Sequence, residues 1–433
     1  MASADEIAGT LALTAYRSFG RLVTPAAGWL LDRRQRRGKE DAERRGERLG
    51  VASRPRPAGA LVWVHAASVG ETNAVLPLIR RLAAAGCMPL LTSGTVTSAQ
   101  VAAERLGAPA IHQYAPLDLP RFVGRFLDHW RPDLAILVES ELWPGTILAA
   151  SGRGIPLVLV NGRMSERSFR RWRRAAWLSR AVLAPLELCL VQTEADAKRF
   201  SALGARAVAV AGNLKLDAAP PEADPAALAA VQAVVGTRPV FLAASTHAGE
   251  EEAVLRALPA LQVAVPGLLT IIAPRHPDRG GEVAALAARQ GLSVARRAAG
   301  EAVGGGTQVY VADTIGEMGV WYRLATVAFL GGSLIRHGGQ NPIEAVKLGT
   351  ALVHGPHVEN FAEIYAALDE AGAVAAVADA EGLAAAAGRL LTEAGERERM
   401  TLAAAACVAR FAGALDRTWE RLGPFLPQQA RDA

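Results

Sequence analysis

From Leu61 onward, short runs of uniformly apolar residues alternate with longer stretches whose apolar positions recur at helical spacing. The apolar runs are Leu61–His65, Met88–Thr92, Leu134–Glu139, Pro156–Val160, Leu188–Gln192 and Ala207–Ala211. A second series follows Arg238: Val240–Ala244, Leu268–Ala273, Leu292–Ala295, Gln308–Val311, Thr326–Leu330 and Ala351–His354. Strands buried on both faces read as continuous apolar runs, so the pattern predicts parallel sheets covered by helices such as Asn73–Ala85 and Ala195–Leu203. Residues 216–238, rich in Ala, Pro and Asp, predict a linker with a short helix between the two series. The expected fold is α/β: two doubly wound Rossmann-like domains, 51–215 and 239–433, facing a central cleft, with a last helix free to cross back onto the first. Ligands of open α/β sheets bind beyond the carboxyl ends of the strands.

The first 50 residues break this rhythm. Ile7–Leu31 is apolar but interrupted by Arg17, Arg21 and Pro25, and its start is acidic (Asp5, Glu6), unlike a signal peptide. Leu11, Ala15, Phe19 and Leu22 share one helical face. An interfacial, membrane-associated helix fits best, with Trp29 at the headgroups. A single spanning helix and a helix packed on the protein's own surface are the alternatives.

Composition and charge narrow the picture. The chain has 433 residues, 51% hydrophobic and 21% charged, which suits two packed cores better than one. Its formal net charge is +5, and most of the excess lies between Arg33 and Arg48, where eight basic residues face four acids. That cluster suits anionic lipid. The near-neutral remainder argues against a nucleic-acid-binding face. Cys87, Cys189 and Cys407 are too far apart for a metal motif and read as reduced core thiols, and no histidine pair has metal spacing.

Polar clusters follow the strand-like runs. Ala66–Glu71 reads AASVGE, with a carboxylate where a helix begins; Glu71 there is either a base for a hydroxyl or a helix-capping acid. Glu139 and Glu141 alternate past a buried strand and are expected to point opposite ways, ahead of Pro144. Arg275 and His276 lie between two prolines, a rigid place from which a guanidinium clamps a phosphate. His337–Glu344 reads HGGQNPIE: its glycines let N–H groups approach an anion, a helix is expected to begin near Asn341, and Glu344 suits ribose hydroxyls. The dinucleotide fingerprint and the P-loop motif are absent.

Together these motifs resemble the 3-deoxy-D-manno-octulosonic acid (Kdo) transferases. HAASVGE, ESELWP, NGRMS, GNLKLD, APRHP and GGQNPIE occur in that family's order over nearly the whole chain. The resemblance implies a GT-B glycosyltransferase that inverts at the sugar carbon, with CMP-Kdo as donor and a lipid A precursor as acceptor in lipopolysaccharide core synthesis. It implies work at the cytoplasmic face of the inner membrane and no metal cofactor. It assigns Glu71 as base and requires Glu141. Donor nucleotide contacts map to Arg275, His276, Gly339, Gln340, Asn341 and Glu344, with Gln340 where relatives often carry histidine. Ser68, Gly70, Arg163 and Lys215 are further substrate candidates, the last two as cations for the donor carboxylate. Arg167–Arg174, interleaved with Phe169 and Trp172, suits a phosphorylated, acylated acceptor or is a solvated helix face. A UDP-sugar transferase or epimerase of the same fold, and a silent lipid-binding scaffold, are the competing readings.

Overall fold

In the computed structural model, which describes residues 14–16, 18–217 and 220–431, the chain divides into two units. The first comprises the described residues of 1–218 together with those of 412–433, and the second runs from 219 to 411. In the first, strands β1 (Leu61–His65), β2 (Met88–Ser93), β3 (Ile111–Tyr114), β4 (Leu134–Val138), β5 (Leu157–Gly162), β6 (Leu188–Val191) and β7 (Val208–Val210) form one sheet in the order β3-β2-β1-β4-β5-β6-β7. In the second, β8 (Val240–Thr246), β9 (Leu269–Pro274), β10 (Val294–Arg296), β11 (Val309–Val311), β12 (Val327–Leu330), β13 (Ala351–His354) and β14 (Ala375–Ala376) are ordered β10-β11-β9-β8-β12-β13-β14. Every pairing in both sheets is parallel.

Side chains along β1 alternate between two cores. Val62 and Val64 pack with the helix Val69–Ala84, while Leu61 and Trp63 pack with Phe126 and Trp130 on the opposite face. The C-terminal segment completes the first of these cores with Ala414, Leu422, Leu426 and Ala430. It is tied down where Gly413 N donates to Asp217 Oδ1 at 2.8 Å and Arg417 Nε donates to the Ala211 carbonyl at 2.9 Å.

In each sheet one pair of neighbouring strands sends its onward connections to opposite sides, β1 and β4 in the first and β8 and β12 in the second. Loops leaving two such strands diverge and open a crevice at their carboxyl ends. The motif-bearing loops after β1, β4, β8 and β12 therefore stand at the two switch points.

Two strands escape the apolar-run pattern. β3 is an edge strand, and its sequence Ile-His-Gln-Tyr puts polar groups where its neighbour gives partial cover. β14 is two residues long. The segment 216–238 holds the helix Pro225–Val235, capped by Asp224 Oδ1 accepting from Ala226 N at 3.0 Å, and this helix belongs to the second unit. The three cysteines are free and buried.

The arm is bent rather than one continuous helix. Helical residues 18–23 pass through a 3₁₀ turn, Thr24–Ala26, at Pro25, into the helix Ala27–Gln35. Ala27 and Leu31 are buried, whereas Phe19, Leu22, Trp29 and Leu30 are exposed. Residues 7–13 and Arg17 lie outside the described residues, so Leu11 does too. Among the described residues no helix is long and apolar enough to cross a membrane.

Candidate active site

Glu71 stands in the first turn of Val69–Ala84. Ser68 is the N-cap: its Oγ accepts from Glu71 N at 3.3 Å. The Glu71 carboxylate folds back over this turn, with Oε2 accepting from Ala67 N and Oε1 from Ser68 Oγ, both at 2.8 Å. The capping role and the base role are therefore compatible, because a carboxylate has about four lone-pair sites and two remain. Glu71 is almost fully buried. Burial above all, and then the Glu139 and Glu141 carboxylates, holds its pKa above the ordinary value, against the two hydrogen bonds that pull it down.

Glu139 and Glu141 have separate partners. Glu139 has left-handed backbone (φ 55°) and pairs with Lys215, Nζ to Oε1 2.6 Å. Asn161, also left-handed, accepts at Oδ1 from Leu214 N (3.0 Å) while its Nδ2 reaches Glu139 Oε1 (3.4 Å). Asn161 thus joins the NGRMS and GNLKLD turns and sets Lys215 against Glu139. A Cβ on Gly70 would lie 3.9 Å from Lys215 Nζ, so the lysine comes close to the backbone beside Glu71. Glu141 Oε2 accepts from Trp143 Nε1 at 2.6 Å and lies 3.9 Å from His65 Nε2. His65 is buried with Nδ1 2.9 Å from Thr92 Oγ1, and burial pushes its pKa down to about 4. Neither glutamate caps the next helix. Asp118 does so, accepting from Gly145 N, Thr146 N and Thr146 Oγ1 at 2.6–2.9 Å. Glu139 and Glu141 thus have separate partners, while both charges act on Glu71. Arg163 is exposed, its carbonyl accepting from Ser140 Oγ at 2.5 Å.

The second unit gathers a different set. Arg275 and His276 follow β9 and are exposed, with Arg275 N donating to the Thr246 carbonyl at 2.9 Å. His247, after β8, lies between them and the glycine turn: its ring centroid is 6.0 Å from that of His276 and 3.9 Å from that of His337. Gln340 Nε2 is 3.3 Å from His247 Nε2. Burial first, and then His337, His276, Arg275 and Arg279, lowers the His247 pKa to about 4. Gly338 (φ 93°) and Gly339 (φ 74°) take backbone conformations that other residues rarely adopt, and a Cβ on Gly338 would come within 2.6 Å of Asn360. Such an assembly of cations and imidazoles beside a glycine turn suits a phosphate or carboxylate.

One expectation is corrected here. The helix does not begin at Asn341 but spans Ile343–Lys347, only five residues, and Asn341 Oδ1 accepts from Ile343 N at 3.1 Å. Its dipole is correspondingly small. Glu344 is its second residue rather than a turn deep, and its charge adds to burial in raising the Tyr322 phenol pKa. His65, His247 and His337 were not singled out by sequence reasoning. The available signal is that His65 ends β1 and His247 directly follows β8, while His337 opens the glycine turn in the loop after β12.

A family model described as 3-deoxy-D-manno-octulosonic-acid transferase (kdotransferase) matches residues 43–218. The 3-deoxy-D-manno-octulosonic acid transferase of Bordetella pertussis is 39% identical over 414 residues, covering 92% of this chain and 95% of that one. That of Haemophilus influenzae is 35% identical over 385 residues, covering 87% and 89%. The crystal structure of a glycosyltransferase from Rickettsia africae matches with a TM-score of 0.60 over 86% of this chain and 100% of that chain. Its sequence identity of 12% makes this a likeness of fold alone.

Proposed function

The chain belongs to the 3-deoxy-D-manno-octulosonic acid transferase family, and on that premise we propose that it transfers Kdo from CMP-Kdo to a lipid A precursor with inversion, Glu71 acting as general base. It is a glycosyltransferase, and its two doubly wound units with all-parallel sheets are of the GT-B type. The observation that carries the base assignment is the Glu71 carboxylate held at a helix start by Ser68 and Ala67, buried beside two further carboxylates. A base with a raised pKa is better matched to a hydroxyl proton than an ordinary carboxylate.

In the proposed reaction the acceptor oxygen bonds to the ketosidic carbon of the donor while its proton passes to Glu71. The bond from that carbon to the phosphate oxygen breaks on the opposite face, and CMP leaves with the electron pair. Arg275, His276 and the turn Gly339–Asn341 meet the phosphate charge as it develops, and Glu344 takes the ribose. Lys215 and Arg163 are the cations proposed for the donor carboxylate. The reading includes no metal cofactor. It places the protein at the cytoplasmic face of the inner membrane. Support for this comes from exposed Phe19, Leu22, Trp29 and Leu30, followed by the basic run from Arg33.

Incubating the purified protein with CMP-Kdo and a tetra-acylated lipid A precursor is expected to give a lipid heavier by one or more Kdo units, with release of CMP. CMP, and not UDP, is expected to protect against thermal unfolding. Protection by UDP with no change in lipid mass would favour a UDP-sugar enzyme instead.

A pH effect follows from the neighbours of Glu71. Transfer is expected to rise with pH as Glu71 loses its proton, along a limb set above the usual carboxylate range. Glu139→Gln removes one charge that raises this pKa and leaves the Lys215 cation without its partner, so both changes favour the Glu71 carboxylate. The acid limb of kcat/KM is expected to move to lower pH. A limb that stays in place or moves upward in a pH–rate profile contradicts the assignment.

A further inference from the structure

Two hollows in the first unit meet at one indole. The inner cavity, about 210 Å³, has Trp63, His65, Ala67, Glu141, Trp143 and Arg34 of the arm among its lining residues. The outer one, about 330 Å³, is lined by Tyr16, Leu142, Trp143, Pro144 and Trp172, with the Ser140 hydroxyl and the Glu141 carboxylate beside them. Trp143 and Glu141 belong to both. The indole is half exposed, and its N–H holds Glu141 Oε2. It therefore stands as a partition with a carboxylate at its foot.

The two sides differ in chemistry. The inner wall also carries Glu40, paired with Arg34 and Arg48, and Asp118, committed to the helix Pro144–Ser151; beside the indole surfaces this leaves the Glu141 carboxylate and the His65 imidazole to meet a hydroxylated ring, with apolar faces against C–H groups and acceptors for O–H groups. Ala67 is part of that wall, and its N–H holds Glu71 Oε2, so the inner cavity adjoins the carboxylate assigned as base. The outer wall is mostly aromatic and aliphatic, and Ser140 Oγ is already committed to the Arg163 carbonyl. It has little to offer a polar ligand. Its far side is Tyr16 of the arm, fixed by Tyr16 Oη donating to Asp118 Oδ2 at 2.8 Å. Asp118 is the same carboxylate that caps the helix Pro144–Ser151, so one residue positions both the arm and the turn carrying Trp143.

We propose that these hollows form one divided subsite for an acylated sugar: the inner cavity takes the sugar ring whose hydroxyl reacts, and the outer one, walled by Tyr16 and Trp172, takes the first segment of its acyl chain. The inference rests on the acceptor reading above and deepens it. The arm then contributes to choice of acceptor, and Glu141 accepts from an acceptor hydroxyl rather than from the donor.

The test compares kcat/KM for an acylated acceptor with that for the same glycan after deacylation, in one detergent, for wild type, Tyr16→Ala and Trp172→Ala. Wild type is expected to favour the acylated acceptor, and each variant to cut that preference about tenfold through lost apolar contact. A general structural defect lowers both values together and leaves their ratio unchanged, and an unchanged ratio overturns the proposal. A loss seen only on lipid vesicles and not in detergent also overturns it, since the arm would then be reading the bilayer. Tyr16→Phe, which keeps the ring but not the bond to Asp118, is expected to keep most of the preference. If wild type transfers Kdo to neither acceptor, the functional reading itself fails. If it transfers to both equally well, that reading stands and the divided subsite does not.

Discussion

Glu71→Gln is expected to lower kcat by about 10²–10⁴-fold while leaving CMP affinity unchanged. The amide is nearly the size of the carboxylate and still lies at the start of Val69–Ala84, but it cannot take a proton. Glu71 is buried and its oxygens accept from Ala67 N and Ser68 Oγ, so the amide oxygen is expected to keep the Ala67 bond and its NH₂ to turn toward Ser68 Oγ. The loop should persist with little change in stability, because the Ser68 hydroxyl serves equally as acceptor. Residues assigned to the nucleotide are all in the second unit, so CMP binding, measured by titration calorimetry, reports on groups this substitution does not touch. Near-normal turnover by Glu71→Gln would remove the base assignment. Loss of CMP affinity together with turnover would indicate a folding role instead. Ser68→Ala is a useful companion: it deletes the N-cap and one bond to the carboxylate. A smaller fall in kcat is expected there, with a stability cost of about 1 kcal/mol.

Much of this arrangement could be read from the sequence, for identifiable reasons. β1, β4, β8 and β12 are central strands buried on both faces, so they stand out as unbroken apolar runs, and the polar residues that end them are where side chains leave the sheet. That is why Glu71, Glu141 and the HGGQNPIE turn were legible as a group. The edge strand β3 gives no such signal: it has His112 and Gln113 in its middle, and Gln113 Oε1 accepts from Trp130 Nε1 at 2.8 Å, on a helix that no local pattern pairs with it. The sequence points to a helix start at Asn341, two residues before the observed one, because Asn341 and Pro342 both suit a helix beginning. The two left-handed glycines instead carry the turn further, and Gly349 (φ 75°) follows soon after the helix ends. Least legible were the acids whose partners are distant backbone N–H groups. Asp118 serves residues 145 and 146, and Glu250 serves residues 332 to 334. Neither spacing has a sequence signature, since a backbone donor carries no residue identity.

Glu250 leads to the second large effect. It opens the helix Glu250–Ala264, is wholly buried, and accepts four backbone bonds. Oε2 takes His247 N at 3.0 Å and Gly332 N at 2.7 Å, and Oε1 takes Ser333 N at 2.9 Å and Leu334 N at 3.0 Å. The loop after β8, which carries His247, is thereby clamped to the loop after β12, which leads to His337 and Gln340. Glu250→Ala strands four donors in the interior at about 1–3 kcal/mol each where they find no other partner. Water can reach some of them, so a net loss of about 3 kcal/mol is the reasonable expectation, and it lowers Tm by roughly 6–12 °C for a unit of this size. Glu250→Gln retains the volume but turns an NH₂ toward two N–H donors, keeping one pair of bonds and losing the other. Its effect on stability should be about half as large, which makes it the variant on which function can be measured. With one loop released, His247 and Gln340 no longer hold their 3.3 Å approach. CMP affinity is expected to fall at least about tenfold, equivalent to about 1.4 kcal/mol. At saturating donor, kcat is expected to fall much less, because Glu250 is not proposed to touch the reacting atoms. A Glu250→Gln protein with unchanged Tm and unchanged CMP affinity would show that the two loops hold their places without the clamp. A fall in kcat with CMP affinity intact would mean that the loops place the reacting sugar rather than the nucleotide.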